Sequence, residues 1–520
     1  MTPTSRRIVL CVVLTLAAVV RVRGIAFDLP FVYHPDEPFN VAIVQSIFER
    51  GDLNPHWFVY PTLFYYINAL AYVPYYVVGS LLGAFHARAD IGPLIELAMG
   101  VTKATQPGVM VLSRAVTAAF STGAVALTYV AGMRLMRSPA VALFAALMMA
   151  IIPTGVALAR YVTPDSFAVF FATASLVAIV LVYQQGRPLH YVAAGLVAGL
   201  TASTKYNAAL VVLPLIAAHF LRPANRGLAN PWLYVAGLCC CAGFVAGTPY
   251  AVIDAPAFID FLRIDGQHYA TGHPGMDGQP FRWYVAYMLG TAAVLYALSL
   301  LEIVRGVAAR AKPVILLAVF PVAYFLFIIS FQVRNDRTFV PLTPFLCLLG
   351  ASFLVHAWTR AAQWGNRGRR RAAHAGLAAL AAAAVMQPAI TTLAETQRLM
   401  HPDGRETARA WIAANLPAGS RIAFESYSPF IDPGRYANVP VPRIVDHDLD
   451  WYEANGVRYV VFSQGMYGRY FLEPARYPGI VAKYERFFHG FHLLKAFDDG
   501  GYEIRIYEVA RDRSAEPGRS

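Results

Sequence analysis

Apolar residues run in long blocks along this chain, and polar residues are confined to the gaps between them. The first block runs from Ile8 to about Phe27. A second, Tyr60 to Phe85, is rich in tyrosine and opened by Pro61. Further blocks lie near 107–133, 139–159, 165–184, 189–203, 206–221, 231–249, 282–304, 313–331, 338–357 and 372–394. Many approach or exceed the ~20 residues that carry a helix across a bilayer. Residues 28–59 are polar and aromatic, with an amphipathic piece from Phe39 to Phe48, and residues 86–106 are mixed. After Leu393 the pattern changes. Asp403-Gly404-Arg405-Glu406 has the form of a capping box opening a helix that holds Trp411. Arg421–Phe424 and Val457–Phe462 read as strands, and Glu503–Glu508 alternates as a half-buried strand should. The tail from about Arg511 reads as frayed. The predicted fold class is mainly α: a polytopic transmembrane helical bundle of about eleven spans over residues 1–394, then a small extracytoplasmic α/β domain over 395–520.

Composition agrees. The 520 residues are 57% hydrophobic and 14% charged, against about 25% charge in a soluble domain. The net charge of +12 falls largely in short loops between apolar blocks, which points to membrane orientation rather than to nucleic acid. Arg134 with Arg137, Arg187, Arg222 with Arg226, Arg305 with Arg310 and Lys312, and the group Arg360, Arg367, Arg369, Arg370 and Arg371 mark five loops. All five share one side, the cytoplasmic one, if each later block crosses once. Arg6 and Arg7 keep the N-terminus on that side too, ahead of a retained first helix rather than a cleaved signal. This topology requires 28–106 to start and end outside. Tyr60–Phe85 is then an interfacial or re-entrant helix rather than a simple crossing; the alternative is two tight crossings before residue 106. The cysteines, Cys11, Cys239, Cys240, Cys241 and Cys347, all lie in apolar blocks and form neither a zinc spacing nor a disulfide framework.

Candidate chemistry gathers at the external ends of the blocks. Asp36 and Glu37 sit in Tyr33-His34-Pro35-Asp36-Glu37-Pro38, where prolines disfavour continuing the first helix. Asp165 ends Tyr161-Val162-Thr163-Pro164-Asp165. Arg21, Arg23, Arg160, Lys205, Arg334 and Arg337 are cations at comparable depth, against the positive-inside trend, and such residues are functional candidates. Carboxylates beside cations at the outer leaflet suit a lipid phosphate carrying a group to be transferred. The cations hold the departing phosphate, and a carboxylate takes a proton from an incoming hydroxyl. The plainer reading is mutual pairing of buried charges, with Asp36 and Glu37 as ordinary helix-capping acids. His268 and His273 could pair with His56 or Asp277 around a divalent metal, but two histidines on a loop are a weak metal signal, and contact with donor or acceptor suits them better. No cofactor is implied.

In order along residues 8–360, these elements resemble the polytopic GT-C glycosyltransferases related to protein O-mannosyltransferases and bacterial lipid A aminoarabinose transferases. The matching elements are Asp36-Glu37 in the first external loop, Tyr60-Pro61 opening a helix, Arg114 in Leu-Ser-Arg-Ala, the turn from Arg134 to Pro139, Asp165, Thr204-Lys205-Tyr206, and Arg337 to Pro344. The resemblance implies an inverting transfer from a polyprenyl-phosphate sugar donor to an acceptor glycan, lipid or protein. It makes Asp36 the base or the orienter of the acceptor, Glu37 its assistant, and Asp165 their opposite number. Lys205 and Arg337, with Arg21 or Arg23, would contact the phosphate, and Tyr60, Arg160, His268 and His273 would line the substrates. Some relatives carry Glu-Lys before the proline that opens the interfacial helix; here Val59-Tyr60-Pro61 stands instead, so another cation must serve. Membrane lipids are partners, and the Ala- and Arg-rich usage points to the plasma (inner) membrane of a GC-rich bacterium. A transporter or flippase would place its charges near the midplane and often show repeats; no repeat is visible. A plain membrane anchor for 395–520 would not need Asp36, Asp165 and Lys205 at one face.

Overall fold

The structure is a computed structural model and describes residues 2–92, 94–96, 101–223, 227–498 and 500–509. Arg226 and the tail from Arg511 lie outside them.

The chain opens with α1 (Pro3–Val22), capped by the Thr2 hydroxyl, which accepts from the Ser5 amide. The segment between α1 and the bundle then folds on itself as a first loop, with β1 (Phe31–Val32), α2 (Asp36–Arg50), α3 (Leu63–Leu81), β2 (Leu94–Glu96) and β3 (Thr102–Ala104). The strands form one antiparallel sheet in the order β1-β3-β2, with Phe31 opposite Lys103. Pairing of β1 with β3 brings the two ends of this loop together. At the start of α3 the Leu63 amide donates to the Ser203 carbonyl at 3.3 Å, and the Thr62 hydroxyl to the Gly247 carbonyl at 2.6 Å. Further along, the Tyr72 hydroxyl meets Ser113 at 2.8 Å. Both parts of α3 thus touch the same end of the bundle. Its inner face buries Phe64, Tyr65 and Tyr72, while Leu70, Val77 and Leu81 are exposed.

The bundle comprises α4 (Pro107–Leu135), α5 (Pro139–Ile151), α6 (Pro153–Leu158), α7 (Asp165–Gln184), α8 (Pro188–Ala202), α9 (Val212–Leu221), α10 (Pro231–Gly247), the connecting α11 (Tyr250–Ile253) and α12 (Ala255–Thr271), then α13 (Pro280–Ala308), α14 (Lys312–Ile328), α15 (Asp336–Phe339), α16 (Thr343–Ala362) and α17 (Arg367–Arg398). Proline opens many of them, where its missing N–H costs nothing. Among the described residues five helical stretches are long and apolar enough to cross a membrane: α4, α7, α13, Asp336–Ala362 and α17. Pro139–Ile151, Pro188–Ala202, Tyr206–Leu221, Pro231–Gly247 and Lys312–Ile328 are apolar but shorter. The α8–α10 pair packs closest, because Gly195 and Gly199 let the α10 backbone approach; a Cβ on either would collide with the carbonyl of Ala236 or Cys240. Four of the arginine loops are tied at one end. The Gln184 amide donates to the Arg134 carbonyl (2.6 Å), Arg222 packs over Gly186, and Lys312 donates to the Leu221 carbonyl (3.1 Å).

The last helix, α17, continues to Arg398, past the expected boundary at 394, so the junction is Leu399–Pro402. Beyond it come α18 (Gly404–Asn415), β4 (Arg421–Phe424), β5 (Ala437–Pro440), α19 (Leu449–Ala454), β6 (Tyr459–Ser463), α20 (Gln464–Phe471), α21 (Pro478–Gly490), β7 (His492–Phe497) and β8 (Ile504–Glu508). Asp403 caps α18 as its sequence predicts, accepting from the Arg405 amide at 2.9 Å. The five strands run β5-β4-β6-β8-β7, parallel through β5, β4 and β6 and antiparallel beyond. Phe462, Tyr484 and Phe487 are buried in one core cluster of the domain, and Ile422, Val461 and Ile504 in another. The domain rests on the first loop through Phe31 against Phe430 (4.9 Å between ring centres) and Arg405 over Tyr33 (4.3 Å). A second seam joins Asp277 to Arg476 at 2.8 Å.

Candidate active site

Helix α2 starts at Asp36 because Pro35 and Pro38 suit a first turn, and its two opening carboxylates favour the positive end of the helix dipole. Adjacent residues on a helix point about 100° apart, so Asp36 and Glu37 leave in different directions. Asp36 turns toward Arg337, which opens the final stretch of the bundle in α15. Asp165 opens α7 from the other side, and Lys205 follows α8 in an extended turn.

These elements converge. Lys205 Nζ donates to Asp165 Oδ1 at 2.7 Å, and Arg337 Nε to Asp165 Oδ2 at 3.0 Å. Arg337 Nη1 donates to Asp36 Oδ2, and its Nη2 reaches the Tyr60 hydroxyl at 3.1 Å. Tyr60 in turn donates to Asp36 Oδ2 at 3.2 Å. The cluster is graded in access: the Asp165 side chain is buried, while those of Asp36 and Arg337 are 29% and 23% exposed. Burial pushes the Asp36 carboxyl up, but Arg337 and His34 more than offset it, and the group lies below the ordinary aspartate range. Burial, joined by the Asp36 and Asp165 carboxylates and only partly opposed by Arg337, drives the Tyr60 hydroxyl well up, so it stays protonated and available as a donor. His34, whose Nδ1 accepts from the Asp36 amide at 3.2 Å, is held down by burial against the pull of the Asp36 and Glu37 carboxylates. Two carboxylates, one ammonium and one guanidinium at one end of a helical bundle are equipped to hold a phosphate and to take a proton from a hydroxyl.

Other predicted residues stand elsewhere. Glu37 is not beside Asp36: it is fully buried in a two-pronged pair with Arg114 (2.9 and 2.8 Å) and accepts from the Val162 amide at 2.9 Å. Arg114 also donates to the Ile25 and Phe27 carbonyls, and so ties the first loop to α4. Arg21 is likewise remote from the cluster. It donates to Ser121 and to the carbonyls of Ala17, Met149 and Ala150, using its charge at the carboxyl end of α5. Arg160 reaches the Val20 carbonyl and Thr396 at the ends of α1 and α17. Arg23 is exposed and touches Met400. His268 and His273 meet edge to face with 5.2 Å between ring centres, and neither is bonded to Asp36 or Asp165. His273 meets Arg469 of the C-terminal domain at 3.1 Å; burial, then that guanidinium, push it down to about 4. Asp277 pairs with Arg476, and His56 with Asp52. Among the described residues no group of three or more His, Cys, Asp or Glu could hold a metal ion. His34 escaped the sequence reading as a separate candidate, although it lies in the Tyr33–Pro38 stretch itself.

The family model for dolichyl-phosphate-mannose-protein mannosyltransferase matches residues 96–261, which include Arg114, Asp165 and Lys205. No curated protein matches the sequence. Among solved structures, ArnT from Cupriavidus metallidurans bound to undecaprenyl phosphate aligns over 100% of both chains, with TM-score 0.55 and 15% identity. The apo oligosaccharyltransferase of Archaeoglobus fulgidus aligns over 98% of this chain and 75% of its own, with TM-score 0.56 and 13% identity. The archaeal oligosaccharyltransferase AglB from Archaeoglobus fulgidus, in complex with an inhibitory peptide and a dolichol-phosphate, aligns over 98% and 74%, with TM-score 0.51 and 14% identity. At such identities the likeness is one of architecture, and it extends from α1 to β8. The chain thus has the fold of the GT-C glycosyltransferases, and its 96–261 segment carries the match to the protein mannosyltransferase family.

Proposed function

We propose that this protein is an integral membrane glycosyltransferase that moves a hexosyl or pentosyl group from a polyprenyl-phosphate donor to an acceptor hydroxyl at the extracytoplasmic face of the inner membrane. The observation that carries the reading is the meeting of Asp36, Tyr60, Asp165, Lys205 and Arg337, drawn from distant parts of the chain, in one partly open cluster. In this mechanism the acceptor oxygen attacks the anomeric carbon and Asp36 takes its proton. The bond from that carbon to the phosphate oxygen breaks with inversion, and polyprenyl phosphate leaves. Lys205 and Arg337 compensate its growing charge in a site poor in water, where charge-assisted bonds are strong. Asp165 is the keel of the arrangement, holding both cations in place. The N-terminus lies in the cytoplasm and the C-terminal domain outside, with glycan, lipid or protein as acceptor.

A transporter reading gains nothing from this placement, since the charges sit at helix ends on one side of the bundle. The test is to incubate purified protein in lipid nanodiscs with a panel of polyprenyl-phosphate sugars and measure free polyprenyl phosphate. Release with one donor, lost in Asp36→Asn, is expected. No release with any donor, alongside saturable movement of the intact donor across a bilayer, would refute the enzyme reading.

A further inference from the structure

Arg334 stands three residues before Arg337, and its bonds lead away from the charged cluster. Its Nε donates to the carbonyls of Asp277 and Gly278, both at 3.0 Å. Its amide donates to the Met276 carbonyl at 2.8 Å. Its Nη2 lies 3.9 Å from Glu473 of the C-terminal domain. Arg334 is thus held by three consecutive carbonyls of one loop, residues 272–279, which joins α12 to α13.

That loop does not set its own shape. Gly272, Gly275 and Gly278 all take left-handed φ, and glycine takes many other conformations as readily. Asp277 supplies the shape. Its carboxylate is buried. It accepts from the His273 amide within the loop, from Arg476 at 2.8 Å and from the Tyr477 hydroxyl at 3.2 Å. Arg476 and Tyr477 stand in the turn between α20 and α21 of the C-terminal domain. A Cβ on Gly272 would strike the same carboxylate, and one on Gly275 would crowd Arg469. Arg469 itself meets His273 at 3.1 Å and covers the Tyr427 ring. The domain therefore clasps the loop at two points.

Arg337 depends on what this loop holds. Its helix, α15, has four residues, too few to stand alone. From the bundle, the Tyr284 hydroxyl donates to the Asn335 carbonyl at 3.2 Å and the Tyr324 hydroxyl to the Thr338 carbonyl at 2.9 Å. From the loop come the three carbonyls that hold Arg334. The guanidinium of Arg337 must meet Asp36, Asp165 and Tyr60 together, and so rigid a fork tolerates little movement of its backbone. Docking of the domain alone would need Asp277 and Arg476. It would not need the same loop to grip Arg334.

We propose that Asp277 is a positioning residue for Arg337. The C-terminal domain, through Arg476 and Tyr477, sets the loop; the loop seats Arg334; and Arg334 fixes the turn that presents Arg337 to the departing phosphate. The proposal rests on the glycosyltransferase reading for that phosphate, whereas the coupling from Asp277 to α15 stands on the bonds alone.

The test uses the full chain in nanodiscs, hydrogen exchange read by mass spectrometry, and undecaprenyl phosphate as the binding probe. Two variants are compared, Asp277→Asn and Arg476→Ala, the second at a side chain 45% exposed and so safe for folding. Each should quicken exchange about tenfold at residues 272–278 and 332–339, with α4 as in wild type. Each should weaken undecaprenyl phosphate binding about tenfold, close to the net worth of one hydrogen bond to a charged group. Arg476→Lys should recover most of that affinity, since the contact with Asp277 is a single one. In an Arg337→Ala background, Asp277→Asn should cost no further affinity, a dependence that general loosening of the protein would not produce. Exchange at 332–339 unchanged in both variants overturns the proposal, and so does an equal loss of affinity with and without Arg337. Coupled exchange with no binding of undecaprenyl phosphate, even by wild type, supports the clamp and counts against the glycosyltransferase reading only.

Discussion

Two neighbouring carboxylates with opposite duties give the sharpest prediction. Glu37→Gln keeps the size of the side chain and one oxygen acceptor, but removes the charge facing Arg114. Both partners are fully buried, so the guanidinium is left ionised without its counter-ion, and the new amide turns one donor toward another. Removing one partner of a buried pair costs about 3–5 kcal/mol. Arg114 keeps its bonds to the Ile25 and Phe27 carbonyls and its place over the Phe27 ring at 3.9 Å, which favours the lower end, about 3 kcal/mol. The loss should be local, since Glu37 links α2, α4 and the turn before α7. Hydrogen exchange read by mass spectrometry should therefore quicken about a hundredfold in peptides covering Phe27–Val41 and Arg160–Asp165, the second through the Val162 amide that Glu37 accepts. Turnover falls with the loosened loop. Unchanged exchange with activity abolished would refute this and return Glu37 to the chemistry.

Asp36→Asn should show the reverse: exchange and donor affinity near wild type, with kcat reduced by about 10² to 10⁴, the usual contribution of a positioned base; the readout is single-turnover release of polyprenyl phosphate, and near-normal turnover would remove Asp36 from the base role. Lys205→Ala and Arg337→Ala should raise the donor concentration needed for half-maximal rate, and Arg337→Lys should recover little because a point charge cannot span Asp36, Asp165 and Tyr60 together; unchanged donor dependence in both alanine variants would hand the phosphate to other cations. Glu425 is buried and accepts from the Ser463 and Ile444 amides and the Tyr484 hydroxyl; burial pushes it up to about 8 from 4.5. The folded domain thus keeps a proton that the unfolded chain gives up, so its stability is full below about pH 4.5 and is lost as pH rises toward 8; thermal scans across that window should flatten in Glu425→Gln, and a wild-type profile without that fall would refute the assignment. A thiol placed at Asn415, but not one at Arg369, should react with an impermeant reagent from outside the cell, and the opposite pattern would invert the topology.

Much of this architecture is legible in the chain, for identifiable reasons. The bundle helices follow from apolar length, which burial and a bilayer both reward, and prolines mark many of their starts. Asp36, Asp165, Lys205 and Arg337 are conspicuous because charge is rare at the ends of such blocks. The same argument misleads at Arg21 and Arg160. A cation meant for a phosphate and a cation meant for the carbonyls at a helix end look alike in sequence, and only packing separates them. Glu37 misleads similarly, because its distance from Arg114 along the chain conceals their pairing. Short strands were invisible. Phe31–Val32 and Thr102–Ala104 are too brief to show alternation, β5 ends on Pro440, and β7 exposes both faces for much of its length. Strands β4, β6 and β8 were legible because they are central in the sheet and pack apolar residues on both sides or in clean alternation.

The span of chain that separates the partners in the charged cluster sets a timetable for its assembly. Asp36 and Arg337 are 301 residues apart, so at roughly 5–20 residues per second the carboxylate waits on the order of 15–60 s for its guanidinium to be synthesised. Glu37 waits for Arg114 across only 77 residues, or roughly 4–15 s at the same pace. The first loop can thus be anchored while the reaction centre is still open, with Asp36 solvated and idle. A chain that stops short of residue 337 has its platform and no working site. On the proposed glycosyltransferase function, unfinished protein in the membrane is inert toward lipid-linked sugars, and catalytic competence arrives with nearly the last helix of the bundle.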